Sequence, residues 1–282
     1  MDATLSQSAP LLTIRARSGW AALNLAEAWQ FRDLLFSLAG RDVRLRYKQT
    51  ALGVAWVILQ PLIAAALFAF VFGKIARLSS GDVPYFLFAF AGMLAWNVFS
   101  TTLSKSSTCL IGNAQLISKV YFPRVILPLS TVPSALIDFA VALALLFVLM
   151  PVYGVVPSLG MLLLPVWLFL LLVLAVGSGL IASALTVSYR DVQYILPVVT
   201  QFLLYGSPIA YRLAEVPARF RALYFFNPLT GLLEAFRWSL LGPGGGQLHS
   251  GYLAYSAAFS IALFLVGMVT FKNMERKFAD VI

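Results

Sequence analysis

Of 282 residues, 61% are hydrophobic and 11% charged; an ordinary soluble domain carries about 25% charged residues, so composition excludes a water-soluble globule and points to a polytopic membrane protein. The formal charge of +9 would suggest nucleic acid in a soluble chain, but here the basic residues crowd beside apolar spans, where they orient helices and meet anionic headgroups, and no nucleic-acid partner is expected. The single cysteine, Cys109, excludes an internal disulfide and a Cys-rich metal site.

In chain order, residues 1–19 read as a disordered cytoplasmic tail, and their first ten lack the basic start and apolar core of a cleaved signal. Residues 20–40 place Asn24, Glu27, Gln30, Asp33 and Ser37 on one helical stripe, with Trp, Leu and Phe filling the rest. This predicts a helix lying in the membrane interface, with a soluble packing helix as the alternative. Arg41, Arg44, Arg46 and Lys48 then precede a charge-free run to Gly73. Four cations in eight residues cannot enter hydrocarbon cheaply, whereas the run that follows is long enough for a spanning helix of about 20 residues. The junction predicts the cytoplasmic mouth of a first transmembrane helix.

The expected architecture is all-α, a single transmembrane domain over 20–282, with six spans at about 51–72, 83–104, 125–150, 159–187, 192–211 and 250–271. Pro151, Gly154 and Pro157 supply the turn between the third and fourth. With the N-terminus inside, fourteen Lys and Arg fall on the inner segments against six outside, Arg212, Arg219, Arg221 and Arg237 among them, so both termini are expected to be cytoplasmic. Residues 110–121, between spans two and three, are too polar to cross and too apolar for an idle loop, which suits a helix presented to a partner. Residues 213–242 form an outer segment far longer than a turn. Within it Asn227 is the expected N-cap, Pro228 fits the first helical turn and Gly242 the stop, so a helix is predicted over 229–241. With only Glu234 and Arg237 charged, that helix should dip into the outer leaflet or cap a pore.

The sequence shows no phosphate-binding loop, no paired carboxylates and no His or Cys cluster in the spans, so no catalytic or metal site is expected. His249, the only histidine, reads as a solvated loop residue. Asp138 lies deep within the third span, where a charge costs about 2.5 to 3.5 kcal/mol on insertion scales. It serves either a proton or cation relay or a hydrogen-bonded tie to a hydroxyl such as that of Ser183. Trp56, Phe68 and Phe70 on the first span and Phe202 and Tyr205 on the fifth are candidates to line a passage, the alternative being lipid-facing or interfacial anchors.

The run from Arg41 to Pro61, with Arg46-Tyr-Lys-Gln-Thr50 followed by Leu52-Gly53, Trp56 and Gln60-Pro61, strongly resembles the membrane subunit of polysaccharide ABC exporters, the O-antigen and teichoic-acid export permeases. Further matches are Ser118-Lys-Val-Tyr-Phe-Pro-Arg124, Leu127-Pro-Leu-Ser130, Tyr189-Arg-Asp191 and Asn227-Pro-Leu-Thr-Gly-Leu-Leu-Glu-Ala-Phe-Arg237, so the resemblance covers roughly residue 31 to the end. It implies a homodimeric six-helix permease, itself no enzyme, working with two copies of a separate ATPase subunit that binds the ATP and Mg. It further implies export of an undecaprenyl-diphosphate-linked glycan, most like O-antigen, across the bacterial inner membrane through a channel between the two permease copies.

By resemblance, residues 20–40 are the interface helix. Gly112, Asn113, Gln115, Leu116 and Lys119 belong to a coupling helix that docks on the ATPase, and Asn227, Pro228, Glu234 and Arg237 to outer gate helices over 213–242. Arg41, Arg44, Arg46 and Lys48 sit where the lipid diphosphate would arrive, or serve only to orient the first span. The aromatic candidates would pack against the C–H faces of sugar rings. Alternatives are a teichoic-acid, drug or small-lipid exporter, an integral-membrane transferase acting on lipid-linked glycans, and a proton-coupled secondary transporter.

Overall fold

The computed structural model of the chain describes residues 29–48 and 53–281. The expected tail, 1–19, and the first part of the expected interface helix, 20–28, lie outside the described residues. The described part is made of helices joined by turns and short connections, with no strand. Its helices are α1 (Arg32–Lys48), α2 (Gly53–Phe68), α3 (Tyr85–Gly112), α4 (Ala114–Lys119), α5 (Ile126–Ser130), α6 (Val132–Val152), α7 (Leu164–Ser188), α8 (Val192–Tyr205), α9 (Ala218–Phe226), α10 (Pro228–Leu241) and α11 (Ser250–Val281).

Among the described residues, five stretches are long and apolar enough to cross a membrane: Ile58–Ile75, Tyr85–Gly112, Ile126–Val152, Leu159–Ser188 and Ser250–Glu275. The chain is thus a multi-pass membrane protein. The segment expected as a fifth span, 192–211, is a shorter apolar helix that stops at Tyr205. Beyond it the chain turns, and Tyr211 Oη donates back to the Tyr205 carbonyl at 2.9 Å.

Several boundaries differ from the sequence reading. Helix α1 runs on through Lys48, so Arg41 and Arg44 sit on the helix itself rather than on a connection after it. Helix α2 passes at Ala69–Ile75 into a π-helical stretch, where a Cβ on Gly73 would come within 2.9 Å of the Tyr85 ring. Helix α3 continues eight residues past the expected end at 104, which absorbs Leu110, Ile111 and Gly112 and leaves α4 as the helical part of the expected coupling segment. Lys105 is tolerated inside α3 because its ammonium donates to Ser134 Oγ at 2.8 Å. The third span is α5 and α6, divided at Thr131, and the last helix continues to Val281 rather than ending at 271.

α3 and α7 form the centre. α7 lies between α3 and α11, and α10 packs across α3, α7 and α11. In hydrocarbon the lipid tails are as apolar as leucine, so helices associate through packing density and small residues rather than through escape from water. The α7–α11 crossing shows this: a Cβ on Gly177 would lie 2.7 Å from Phe264 Cα, and one on Gly267 would meet the Gly177 carbonyl. The larger core joins Leu87, Phe90, Trp96 and Phe99 of α3 to Leu171 and Leu174 of α7 and to Leu229, Leu233, Phe236 and Leu240 of α10. A second core gathers Leu38, Leu110, Ile117, Phe122, Leu127, Leu180, Phe271 and Phe278 at the end of the bundle that carries α1 and α4.

Candidate functional site

At the α4 end, the short connection at Asn113 organises three helices. Asn113 Nδ2 donates to the Cys109 carbonyl of α3 at 2.8 Å, while its own carbonyl accepts from Leu116 N and Ile117 N and so starts α4. Its Oδ1 accepts from Arg41 Nη2 of α1, 2.8 Å away across 72 residues of sequence. The Arg41 guanidinium also binds Asp42 Oδ1 through Nε at 3.2 Å and Nη2 at 3.0 Å. Arg44 is exposed, and the side chains of Arg46 and Lys48 lie outside what the structure describes. On α4, Gln115 and Lys119 face outward and Leu116 is half-buried, with Ile117 as the anchor in the second core; Gly112 has open space where a side chain would stand. Arg124 closes this end, its backbone N–H donating to Glu275 Oε1 at 3.2 Å, while Lys272 pairs with Glu275 Oε2 at 2.7 Å.

Toward the middle of the bundle, hydroxyls line the seam between α3 and α5–α6. Ser106 Oγ and Thr131 Oγ1 are 3.0 Å apart, and Lys105 reaches Ser134. Asp138 is four residues beyond Ser134 on α6 and therefore shares its face. Ser183, named above as a partner for Asp138, is buried with its Oγ 3.8 Å from Cys109 Sγ.

The opposite end is built around α10. Asn227 caps it, Oδ1 accepting from Leu229 N at 3.0 Å, while Asn227 Nδ2 donates to the Gly206 carbonyl and Ser207 Oγ at 3.1 and 3.0 Å. Pro228 takes the first turn, and Gly242, with φ +73°, stops the helix in a conformation that suits glycine.

One turn apart on α10, Glu234 and Arg237 form an ion pair with side-chain exposures of 8% and 0%. Arg237 Nη1 donates to the Ile209 carbonyl at 3.3 Å, and its guanidinium carbon lies 4.2 Å from the centre of the Phe88 ring. The second Glu234 oxygen accepts from Gln247 N at 3.1 Å. Burial pulls the Arg237 pKa down and Glu234 pushes it back up; an unpaired guanidinium in this place would be untenable, and the carboxylate makes it acceptable. Trp167 Nε1 donates to Ser239 Oγ at 2.8 Å, and Tyr85 Oη donates to the Ala210 carbonyl. Through these bonds α10 is tied to α3, α7 and the turns at both of its ends.

Between α8 and α10, Leu213–Glu215 makes a short 3-10 turn and α9 follows. Arg221 holds this turn, donating to the carbonyls of Val216 and Ala214, both at 3.0 Å. Tyr211, Glu215, Phe220, Leu223 and Tyr224 line a depression of about 400 Å³ there, with the Tyr211 and Tyr224 hydroxyls 2.6 Å apart.

Of the aromatic candidates, Trp56, Phe70, Phe202 and Tyr205 are all more than half exposed. Phe68 instead packs against the main core and stacks on Phe72 at 5.4 Å. Sequence reasoning placed Arg237 among the outer charges and Lys105 among the inner loop charges, whereas both point into the protein. The spacing of Glu234 and Arg237 at i and i+3 in an otherwise apolar helix was the available signal for the first of these. Nothing comparable marks the bond from Arg41 to Asn113.

With this geometry in hand, comparison with known proteins is informative. Residues 33–241 match the family described as ABC-2 type transporter. The O-antigen export system permease protein RfbA of Klebsiella pneumoniae is 28% identical over 258 residues, which cover 89% of this chain and 95% of the relative. RfbA of Myxococcus xanthus is 28% identical over 259 residues, 90% of this chain and 97% of the relative. The polysialic acid transport protein KpsM of Escherichia coli is 25% identical over 243 residues, 83% and 91% of the two chains.

Proposed function

The chain belongs to the ABC-2 type transporter family, and from that premise we propose that it is the transmembrane subunit of an ATP-driven exporter carrying undecaprenyl-diphosphate-linked polysaccharide, of the O-antigen kind, out across the bacterial inner membrane. The observation that carries this reading is the extent of the match to RfbA. The similarity runs over 95% and 97% of the two O-antigen permeases, so it takes in the α1 end, the seam and the α10 end together rather than one shared module.

The geometry supports the reading. A channel for a polymer needs a surface that one copy leaves open, and α2 and α8 supply it. Only 11% of Ile58–Ile75, from α2 through its π-helical continuation, is buried, and α8 has no buried residue at all. In this reading α8 is the sixth crossing element, and a second copy of the chain faces it. Trp56, Phe202 and Tyr205, exposed on those two helices, and Phe70, on the π-helical continuation of α2, then offer ring faces to passing sugars. Both termini lie in the cytoplasm, α4 docks on a separate ATPase present in two copies, and α9 and α10 close the outer mouth.

Affinity purification of the tagged chain from native membranes, followed by an ATPase assay, tests this. A stoichiometric ATP-binding subunit with ATPase activity in the eluate is the expected result. A chain that purifies alone and ATPase-silent would overturn the exporter reading in favour of a membrane transferase or a secondary transporter.

A further inference from the structure

We propose that Arg41 and Asn113 form a joint between α1 and α4 that opens when a diphosphate takes over the Arg41 guanidinium. The arrival of an anionic headgroup is thereby signalled to the helix that meets the ATPase. This deepens the export reading and rests on it.

Asn113 is the one residue between the last residue of α3, Gly112, and the first of α4, Ala114. Its backbone adopts φ −118° and ψ 26°, outside the helical region, so the chain bends there. Three attachments meet at this residue: its carbonyl starts α4, its amide nitrogen satisfies the exposed end of α3, and its amide oxygen holds α1 through Arg41. Only the last of these crosses between separate parts of the chain. Gly112 beside it has no neighbour within 4 Å of a Cβ, so apart from Ile117, anchored in the second core, the Arg41 bond is what fixes the bend from outside.

The bond to Arg41 is suited to being given up. Asn113 offers a neutral amide oxygen, and a phosphate oxygen is a stronger, charge-assisted acceptor that matches the planar fork of an arginine. Asp42 takes Nε and Nη2, Asn113 takes Nη2 as well, and among the described residues Nη1 takes no hydrogen bond, so a diphosphate that grips the Nη1–Nη2 edge contends with Asn113 for Nη2. Arg44, three residues on and exposed, supplies a second cation beside it and offsets the Asp42 carboxylate. The Arg41 side chain is 46% exposed, so an anion reaches it without any rearrangement of the core. Diphosphate and Asn113 therefore compete for one group, and the winner decides whether the polar link between α1 and α4 is made.

The test uses the full chain in phosphatidylcholine nanodiscs. Nitroxide labels at S37C on α1 and S118C on α4, both exposed positions, report the distance between the helices in a Cys109→Ala background. The native joint should give a narrow distance distribution. Undecaprenyl diphosphate in the disc should broaden it, and so should Arg41→Ala or Asn113→Ala without any anion. Asn113→Asp, which replaces the amide with a carboxylate, should stay narrow in the presence of the lipid and shows that a folded variant can be locked. Inorganic pyrophosphate in place of the lipid separates the two sources of the chemistry: broadening by both identifies the diphosphate group alone as the signal, and broadening by the lipid only identifies an anchored headgroup.

A distribution unchanged by Asn113→Ala overturns the joint and leaves the export reading standing. A joint that loosens in Asn113→Ala yet ignores both anions overturns release by diphosphate, and co-purification of the ATPase then decides separately whether the chain exports at all.

Discussion

Helices α9 and α10 are separated by one residue, Asn227, and the sequence reading treats them as parts of a single outer element. The structure gives them opposite settings. α10 has buried residues along its whole length and is bonded to α3, α7 and the turns beside it, whereas α9 has no buried residue. What holds α9 lies at its ends: Tyr224 against Tyr211, Arg221 against its own preceding turn, and the Phe225 ring against Tyr252 and Tyr255 at 5.2 Å. Apolar composition is therefore no guide to which of two neighbouring helices belongs to the framework. The difference lies in what surrounds each of them. α10 fills the space between α3, α7 and α11, and α9 covers only its edge. The outer gate proposed for this pair needs one fixed part and one part that can yield, and the contrast in burial matches that division.

Substitutions that remove the fixity of α10 should show the largest effects. Glu234→Ala leaves Arg237 buried without its counter-charge, and breaking such a pair costs about 3 to 5 kcal/mol. A large fall in the thermal midpoint of the purified protein is the expected outcome; a midpoint within a degree of the native value would mean that α10 is not a framework element. Next comes Leu233→Ala. Leu233 is 0% exposed, and deleting a leucine from a closed core costs about 2 to 5 kcal/mol, read in the same melt. The cap comes third. Asn227→Ala removes the acceptor for Leu229 N and should cost about 1 kcal/mol, the usual worth of an N-cap. The same change also frees α10 from Gly206 and Ser207, so a loss well above that figure would locate the importance of Asn227 in its ties to the turn after α8.

Much of this contrast was legible in advance, in an uneven way. Asn227, Pro228 and Gly242 marked the start and end of α10 because capping is local chemistry, written in single residues. The long apolar spans were equally clear, since hydrocarbon thickness sets a length that composition either meets or does not. Boundaries failed where a polar residue finds a partner far away in sequence. Lys105 read as a loop charge because a span should not hold an ammonium, and its bond to Ser134 on another helix shows why α3 continues through it. Arg237 stays in the helix expected for it, and what its sequence position did not show is that Ile209 and Phe88 join Glu234 in burying its guanidinium. The Arg41 to Asn113 bond spans 72 residues, and no periodicity in either segment predicts it.

The smallest expected effect gives the comparison its sharpest test. Leu223 on α9 is 67% exposed and lines the depression beside Tyr224, whereas Leu233, ten residues on, is fully buried. Both are leucines in short apolar helices at the same end of the molecule. Leu223→Ala should move stability by no more than about 0.5 kcal/mol, as surface substitutions do, so any change it causes in glycan export cannot be assigned to unfolding. If α9 is the yielding half of the gate, export should change in Leu223→Ala while the melt does not, the reverse of what a fixed helix would give. If instead Leu223→Ala lowers the midpoint as far as Leu233→Ala does, then α9 is packed against something one copy of the chain does not contain. The contrast between the two helices would then belong to the isolated subunit rather than to the working transporter.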